Sequence, residues 1–124
     1  MRMINLLGVA LARVLSLKKS KEYPEALIEI DQVTNKMLGA GRDILRRCTD
    51  EELIQLFGSD RTLAGSKFYV LGVLLKEEAD IELLQGNIDE GIPLSLKSLR
   101  LLLESFTAFG RLMDVNHSRH IDEV

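Results

Sequence analysis

The sequence contains no tryptophan, one cysteine and two prolines among its 124 residues. Four phenylalanines and two tyrosines are the only aromatic side chains, and the aliphatic residues are far more numerous. This composition favours helices packed mainly by leucine over a β-rich domain. The single cysteine, Cys48, excludes an internal disulfide and fits a reducing compartment.

The chain also has no apolar run of the roughly 18 residues that a membrane-spanning helix needs. Its net charge of −3 is too small to indicate a partner. No acidic residue occurs before Glu22, so the N-terminal segment is basic and apolar and superficially resembles a short signal peptide. Because Asn5 interrupts the apolar run and Arg13 follows it, we do not interpret the segment as a signal peptide and predict a cytoplasmic protein. At 124 residues, the chain is predicted to form a single domain over residues 1–124.

Hydrophobic periodicity predicts an all-α fold, a compact bundle of about five helices in antiparallel pairs. The predicted helices cover roughly residues 2–17, 23–38, 50–57, 60–85 and 89–113. Residues 42–48 are ambiguous, and residues 114–124 are predicted to form a flexible tail. Thr49 and Glu52 have the spacing of a capping box. The helix over 60–85 is apolar on every side near its centre, so we place it in the middle of the bundle.

The last predicted helix has apolar residues on two nearly opposite sides. The larger face is predicted to pack in the core and contains Leu96, Leu99, Leu102, Leu103, Phe106 and Phe109. The smaller stripe contains Leu94, Leu101, Ala108 and Leu112. One neighbouring helix cannot cover both sides, so we predict an intermolecular interface at Leu94, Leu101 and Leu112, or at the outer face of the first helix.

Two turns carry a similar pattern, in which a large residue is followed three positions later by a small one. The first has Tyr23 and Ala26, with Ile30 following, and the second has Ile88 and Gly91. Such a small residue lets two helices approach closely. Resemblance to the tetratricopeptide-repeat family implies that the preceding helix of the second copy should also be small at Ala79. We interpret Tyr23, Ala26, Ile30, Ala79, Ile88 and Gly91 as helix-packing residues.

This pattern resembles the tetratricopeptide-repeat family. The copies lie 65 positions apart, whereas tandem repeats of this kind recur about every 34 residues, so the short helix over 50–57 is read as an insertion. The whole chain also resembles a small, functionally uncharacterised family of bacterial repeat-like helical proteins. That resemblance implies a tetratricopeptide-like fold and a cytoplasmic setting, and it implies no catalytic residues.

Candidate chemical groups are few. His117 and His120 are three residues apart and suit a metal site only if the polar tail holds them in place. Cys48 has Arg46 and Arg47 beside it but no histidine base placed nearby. The acidic run Glu77, Glu78, Asp80 and Glu82 is read as the solvated end of a long helix, with its carboxylates spread around the circumference. We therefore predict no enzyme, no metal and no cofactor.

The function predicted from the sequence is a non-catalytic protein–protein interaction or scaffold domain, with a homodimer as one form of association. One alternative is a membrane-surface protein that uses the basic, apolar N-terminal helix. A second is a helix-turn-helix-type nucleic-acid binder, because Arg42, Arg46 and Arg47 precede the helices over 50–57 and 60–85. The acidic domain disfavours nucleic acid, and packing of the first helix in the core disfavours the membrane. The identity of the protein partner stays open.

Overall fold

Six helices form the part of the chain that the computed structural model describes, which is the backbone of residues 2–60 and 62–122. Side chains are described up to Gly110, except those of Arg2 and Ile4. The helices are α1 (Arg2–Lys19), α2 (Tyr23–Leu38), α3 (Arg42–Arg47), α4 (Asp50–Gly58), α5 (Ala64–Leu84) and α6 (Ile88–Asp122). They pack together without a strand in the described ranges, which confirms the predicted all-α bundle. The tetratricopeptide-like arrangement of its helices stays a prediction.

The local signals that begin and end the helices act as the sequence indicates. Gly39 takes a left-handed conformation, with φ of 77°, and closes α2. At the start of α4, the Thr49 hydroxyl accepts a hydrogen bond from the Glu52 amide at 3.1 Å. The Glu52 carboxylate in turn accepts one from the Thr49 amide at 2.9 Å, so the predicted capping box is confirmed.

Three helix boundaries differ from the sequence-based expectation, and the first is the start of α5, which lies at Ala64 and not near residue 60. The ambiguous segment after residue 41 forms a short helix of its own, α3, whose first amide donates to the Asp31 carboxylate at 3.0 Å. The last helix does not end near Met113 but continues to Asp122. Neither glycine nor proline occurs between these two residues, so no strong stop signal interrupts the helix there.

Helix α5 lies at the centre, as its apolar sequence predicts. One side of α5 contributes Val70, Leu74 and Ile81 to a core shared with α1 and α2. Another side of the same helix joins a second core built with α3, α4 and α6. The two cores are held together because α5 belongs to both.

Helices α5 and α6 form the most extensive antiparallel pair, and glycines bring them close together. A Cβ atom on Gly72 would lie 2.8 Å from Leu102 Cγ, and one on Gly91 would lie 2.6 Å from Leu83 Cγ. Gly65 is in equally close contact with the Phe109 ring, in the same alignment of the two helices. This close approach fixes the rotation of α6 about its own axis, and with it the set of α6 residues left facing outwards.

Candidate interaction surface

The packing of α6 differs from the two faces predicted from its sequence. Of the larger face, Leu102 and Phe109 do contact α5, but the other members are exposed: Leu96, Leu99, Leu103 and Phe106. Leu94 is 6% exposed and Leu101 is fully buried, because both pack into the core shared with α5. The predicted interface at these two leucines is therefore wrong, and Leu112 lies outside the side chains that the structure describes. On this core face, Leu94 and Leu101 alternate along α6 with small residues that let α6 approach α5: Gly91, Ser98 and Ser105.

The buried serines on this face do not leave unsatisfied hydroxyl groups. The Ser98 hydroxyl donates to the Ser95 carbonyl, and the Ser105 hydroxyl donates to the Leu102 carbonyl, both at 2.8 Å. Bonds within the helix therefore satisfy each hydroxyl, and a serine can occupy a core position without a partner on α5. A face that looks partly polar in sequence is in this way a packing face.

The residues of the two turn motifs have different environments. Ala26, Ile30 and Ala79 are buried, Tyr23 is half-buried, and Gly91 is in close contact with α5. Ile88 is 56% exposed, so its predicted packing role is wrong. It is the first residue of α6 and projects from the side away from α5, which makes it part of an outward-facing row instead.

That row is a stripe of six large apolar side chains, each between 50% and 73% exposed. We call it the α6 stripe, and it consists of Ile88, Ile92, Leu96, Leu99, Leu103 and Phe106. At 100° per residue, the six side chains fall within an arc of about 80° and extend over about 27 Å of helix. From Ile92 to Phe106 they are spaced alternately four and three residues apart, which is the pattern of a helix–helix seam.

The size of this stripe distinguishes it from ordinary exposed leucines. At roughly 100 Å² for each half-exposed side chain, the six present on the order of 600 Å² of apolar surface. The largest patch on a typical monomer is about 300–600 Å² and is often functional. Other exposed apolar residues, such as Ile28 and Leu15, lie on different helices and do not extend this patch.

One edge of the stripe is polar and is attached to the rest of the bundle. Lys97 Nζ donates to the carbonyls of Leu45, Arg46 and Cys48 at the end of α3. These carbonyls have no partner within α3, so the lysine caps that helix from α6. Further along the same edge, Arg100 Nε lies 3.6 Å from Glu104 Oε1.

The opposite edge of the stripe adjoins α5. Leu102 and Phe109, both half-buried, cover the glycines of α5. On the same side of the molecule, α5 exposes three residues spaced seven positions apart. We call Tyr69, Lys76 and Leu83 the outer ridge of α5. The α6 stripe and this ridge together form a two-helix surface that is mainly apolar.

An open depression of about 590 Å³ lies at the N-terminal end of the stripe. It is lined by Arg46, Asp50, Asp89, Glu90, Pro93, Leu94, Leu96 and Lys97. The acidic side chains are offset by Arg46 and Lys97, and Arg46 already contacts Glu90 at 3.0 Å. The depression therefore extends the surface with polar groups of both charges.

The acidic run on α5 is the clearest error of the sequence-based reading outside α6. Glu78 is fully buried, and Glu77 and Glu82 are also buried, so this run is not a solvated helix end. Lys18 of α1 donates to Glu77 at 2.7 Å. Arg46 lies 3.3 Å from Glu78 Oε1, so the basic residues of α1 and α3 enter the bundle to meet α5.

Glu78 is the most strongly desolvated of these groups. Burial raises the pKa of this carboxyl group, and the positive charges of Arg42 and Arg46 oppose the rise. Both carboxylate oxygens lack a hydrogen bond to any described group, although Arg42 Nε lies 3.7 Å away. The folded protein therefore retains the proton of Glu78 to higher pH than the unfolded chain does, and ionisation of Glu78 weakens folding as the pH rises above 4.5.

The described side chains bear on the other candidate functions as well. No group of three or more histidine, cysteine or acidic residues among them is arranged to hold a metal, and His117 and His120 lie outside them. Within the same part of the chain, no helix is long and apolar enough to cross a membrane. Lys18 and Arg13, basic residues of α1, face Glu77 and Glu29.

Comparison with protein-family models, with curated protein sequences and with solved structures gives no match. The assignment of a site therefore depends on geometry alone. Both apolar sides of α6 are evident in the sequence, but the side that stays free is the one with more leucines. The heptad spacing of Gly91, Ser98 and Ser105, matched by Gly65 and Gly72 on α5, is the signal that identifies the face in contact with α5.

Proposed function

We propose that this protein is a protein–protein interaction module whose binding surface is the α6 stripe. The observation that carries the proposal is the contiguous row of six exposed apolar side chains on one helix. Leaving such a row in water costs free energy, and burial against a partner recovers about 25 cal/mol for each Å² removed from water. The described residues that flank the stripe are engaged in packing, capping and ion pairs, which supports binding over catalysis.

The rigidity of the stripe supports the same function. The core face of α6 is fixed by the glycine contacts with α5, and its polar edge is fixed by Lys97 on α3. A partner would therefore meet a surface that is already ordered and would lose little conformational freedom in forming the interface. Near the middle of the row lies Leu99, where truncation or charge should have the largest effect on binding.

The test is affinity capture of tagged protein from extracts of its own cells, with quantitative mass spectrometry of the captured proteins. We expect Leu99→Glu to reduce the captured partners at least about 30-fold, since a central apolar contact typically contributes 2 kcal/mol or more. Leu15→Glu on α1 is the matched control, because Leu15 is 51% exposed and Leu99 is 54% exposed. Equal capture by wild type and Leu99→Glu would show that the stripe is not the binding surface.

A further inference from the structure

We infer that the α6 stripe binds the α6 stripe of a second copy of this chain, with the two helices antiparallel. This inference rests on the proposed function, because it names the partner of the same surface. Three observations support it: the heptad spacing of the stripe, its area and the distribution of charge along its edges. Each of these concerns residues that the structure describes.

The spacing of the stripe suits another α-helix with the same spacing. A row of apolar residues with an average spacing of 3.5 residues remains in contact with a similar row as the two helices wind around each other. Alternating layers of an antiparallel pair place Leu99 of one copy against Leu103 of the other, and Leu96 against Phe106. The two-fold axis then lies level with Leu101 along the helix, and all five residues from Ile92 to Phe106 lie in the contact.

The area is sufficient for a homodimer. The five residues in the contact present roughly 500 Å² on each copy, which gives a buried total of about 1,000 Å², the size that a biological interface is expected to reach. The outer ridge of α5 adds to this area, since it lies on the same side of the molecule as the stripe.

The charges on the polar edge select the antiparallel orientation. Antiparallel helices bring like edges together, so Glu104 of one copy lies within about two residues, or 3 Å along the axis, of both Lys97 and Arg100 of the other. Each Glu104 therefore offsets the charge of the two Arg100 side chains, which lie equally close to each other. The same contact is repeated by symmetry. A parallel pair would instead bring Arg100 against the opposite edge, where the described residues are Ser95, Leu102 and Phe109 and none is charged.

The other edge is also self-complementary in this orientation. In the register of the glycine contacts, Val73 of α5 is at the same level as Leu101 of α6, so the two-fold axis is level with Val73 as well. Tyr69 of one copy then faces Lys76 of the other, a pair suited to a cation–π contact. The assembly is a four-helix bundle made from two α5–α6 pairs.

Sedimentation velocity tests the association itself. We expect wild type at tens of micromolar to sediment as a dimer, and Leu99→Glu to dissociate at least about 30-fold more readily. The matched Leu15→Glu variant should remain dimeric, and circular dichroism should show that both variants are folded, since both sites are at least half exposed. A monomeric wild type, or a Leu99→Glu variant that remains dimeric, overturns the inference.

Spin-label distances then test the orientation, in a Cys48→Ser background. Labels at Asp89→Cys should lie about 36 Å apart along the axis, and labels at Thr107→Cys about 18 Å apart, if the helices are antiparallel about Leu101. A parallel pair would give similar, short distances at both positions and would contradict the inference. If wild type is monomeric while Leu99→Glu still abolishes partner capture, this inference fails and the proposed function survives.

Discussion

Replacing Leu101 with alanine should lower the free energy of unfolding by about 3 kcal/mol, whereas the same change at Leu99 should alter it by less than about 0.5 kcal/mol. The two leucines are two positions apart on one helix, so helix propensity affects both equally. They differ in burial, because Leu101 is fully buried and Leu99 is 54% exposed. The difference in stability therefore measures which side of α6 faces the core.

Chemical denaturation in dilute protein is the appropriate measurement, because dilution removes any contribution of self-association at Leu99. The Leu101→Ala midpoint should fall with little change in the denaturant dependence. Equal losses at the two sites, or a larger loss at Leu99, would mean that α6 packs with its other face against α5.

Replacing both Arg42 and Arg46 with methionine should lower the free energy of unfolding by about 3–5 kcal/mol at pH 7, because it leaves the buried carboxylate of Glu78 without a counter-charge. Both arginines lie within 3.7 Å of Glu78 Oε1, which is fully buried. Methionine retains much of the apolar volume, so the loss reports mainly on charge. A third change, Glu78→Met, should recover most of the stability, since an apolar group then replaces the ion cluster.

Arg100→Met provides the control for this prediction. Arg100 forms an exposed pair with Glu104, and such pairs contribute about 0–1 kcal/mol. Thermal or chemical unfolding of wild type and the three variants separates the two environments. A double variant that loses no more stability than Arg100→Met, or a triple variant that is not rescued, would show that the charges of α3 and α5 are not coupled in the folded protein.

Much of the fold follows from the sequence because its signals are local. The Thr49–Glu52 capping box, the glycine at the end of α2 and the all-round apolar centre of α5 each act within one helix. The orientation of α6 is not local in this way. Two opposite faces of α6 are apolar, and the choice between them depends on the close fit of α5 glycines against Leu102 and Phe109.

The candidate site is missed for the same reason, and so are the buried glutamates. Counting leucines assigns the richer face of α6 to the core, although the face with Gly91, Ser98 and Ser105 packs more closely. Glu78 looks solvated because an acidic run usually is, and its burial depends on Arg42 and Arg46 from a helix more than thirty residues earlier. Packing partners distant in sequence decide both questions.

The most direct test of the central claim, that α6 presents Leu99 to a partner and Leu101 to its own core, is thiol labelling of Leu99→Cys and Leu101→Cys in the Cys48→Ser background under native conditions. Cys at position 99 should react readily in dilute protein and become protected as the protein concentration rises, because association covers it. Cys at position 101 should react only as fast as the protein unfolds. Rapid labelling at 101, with protection at 99 that does not depend on concentration, would contradict the assignment of the α6 stripe as a binding surface.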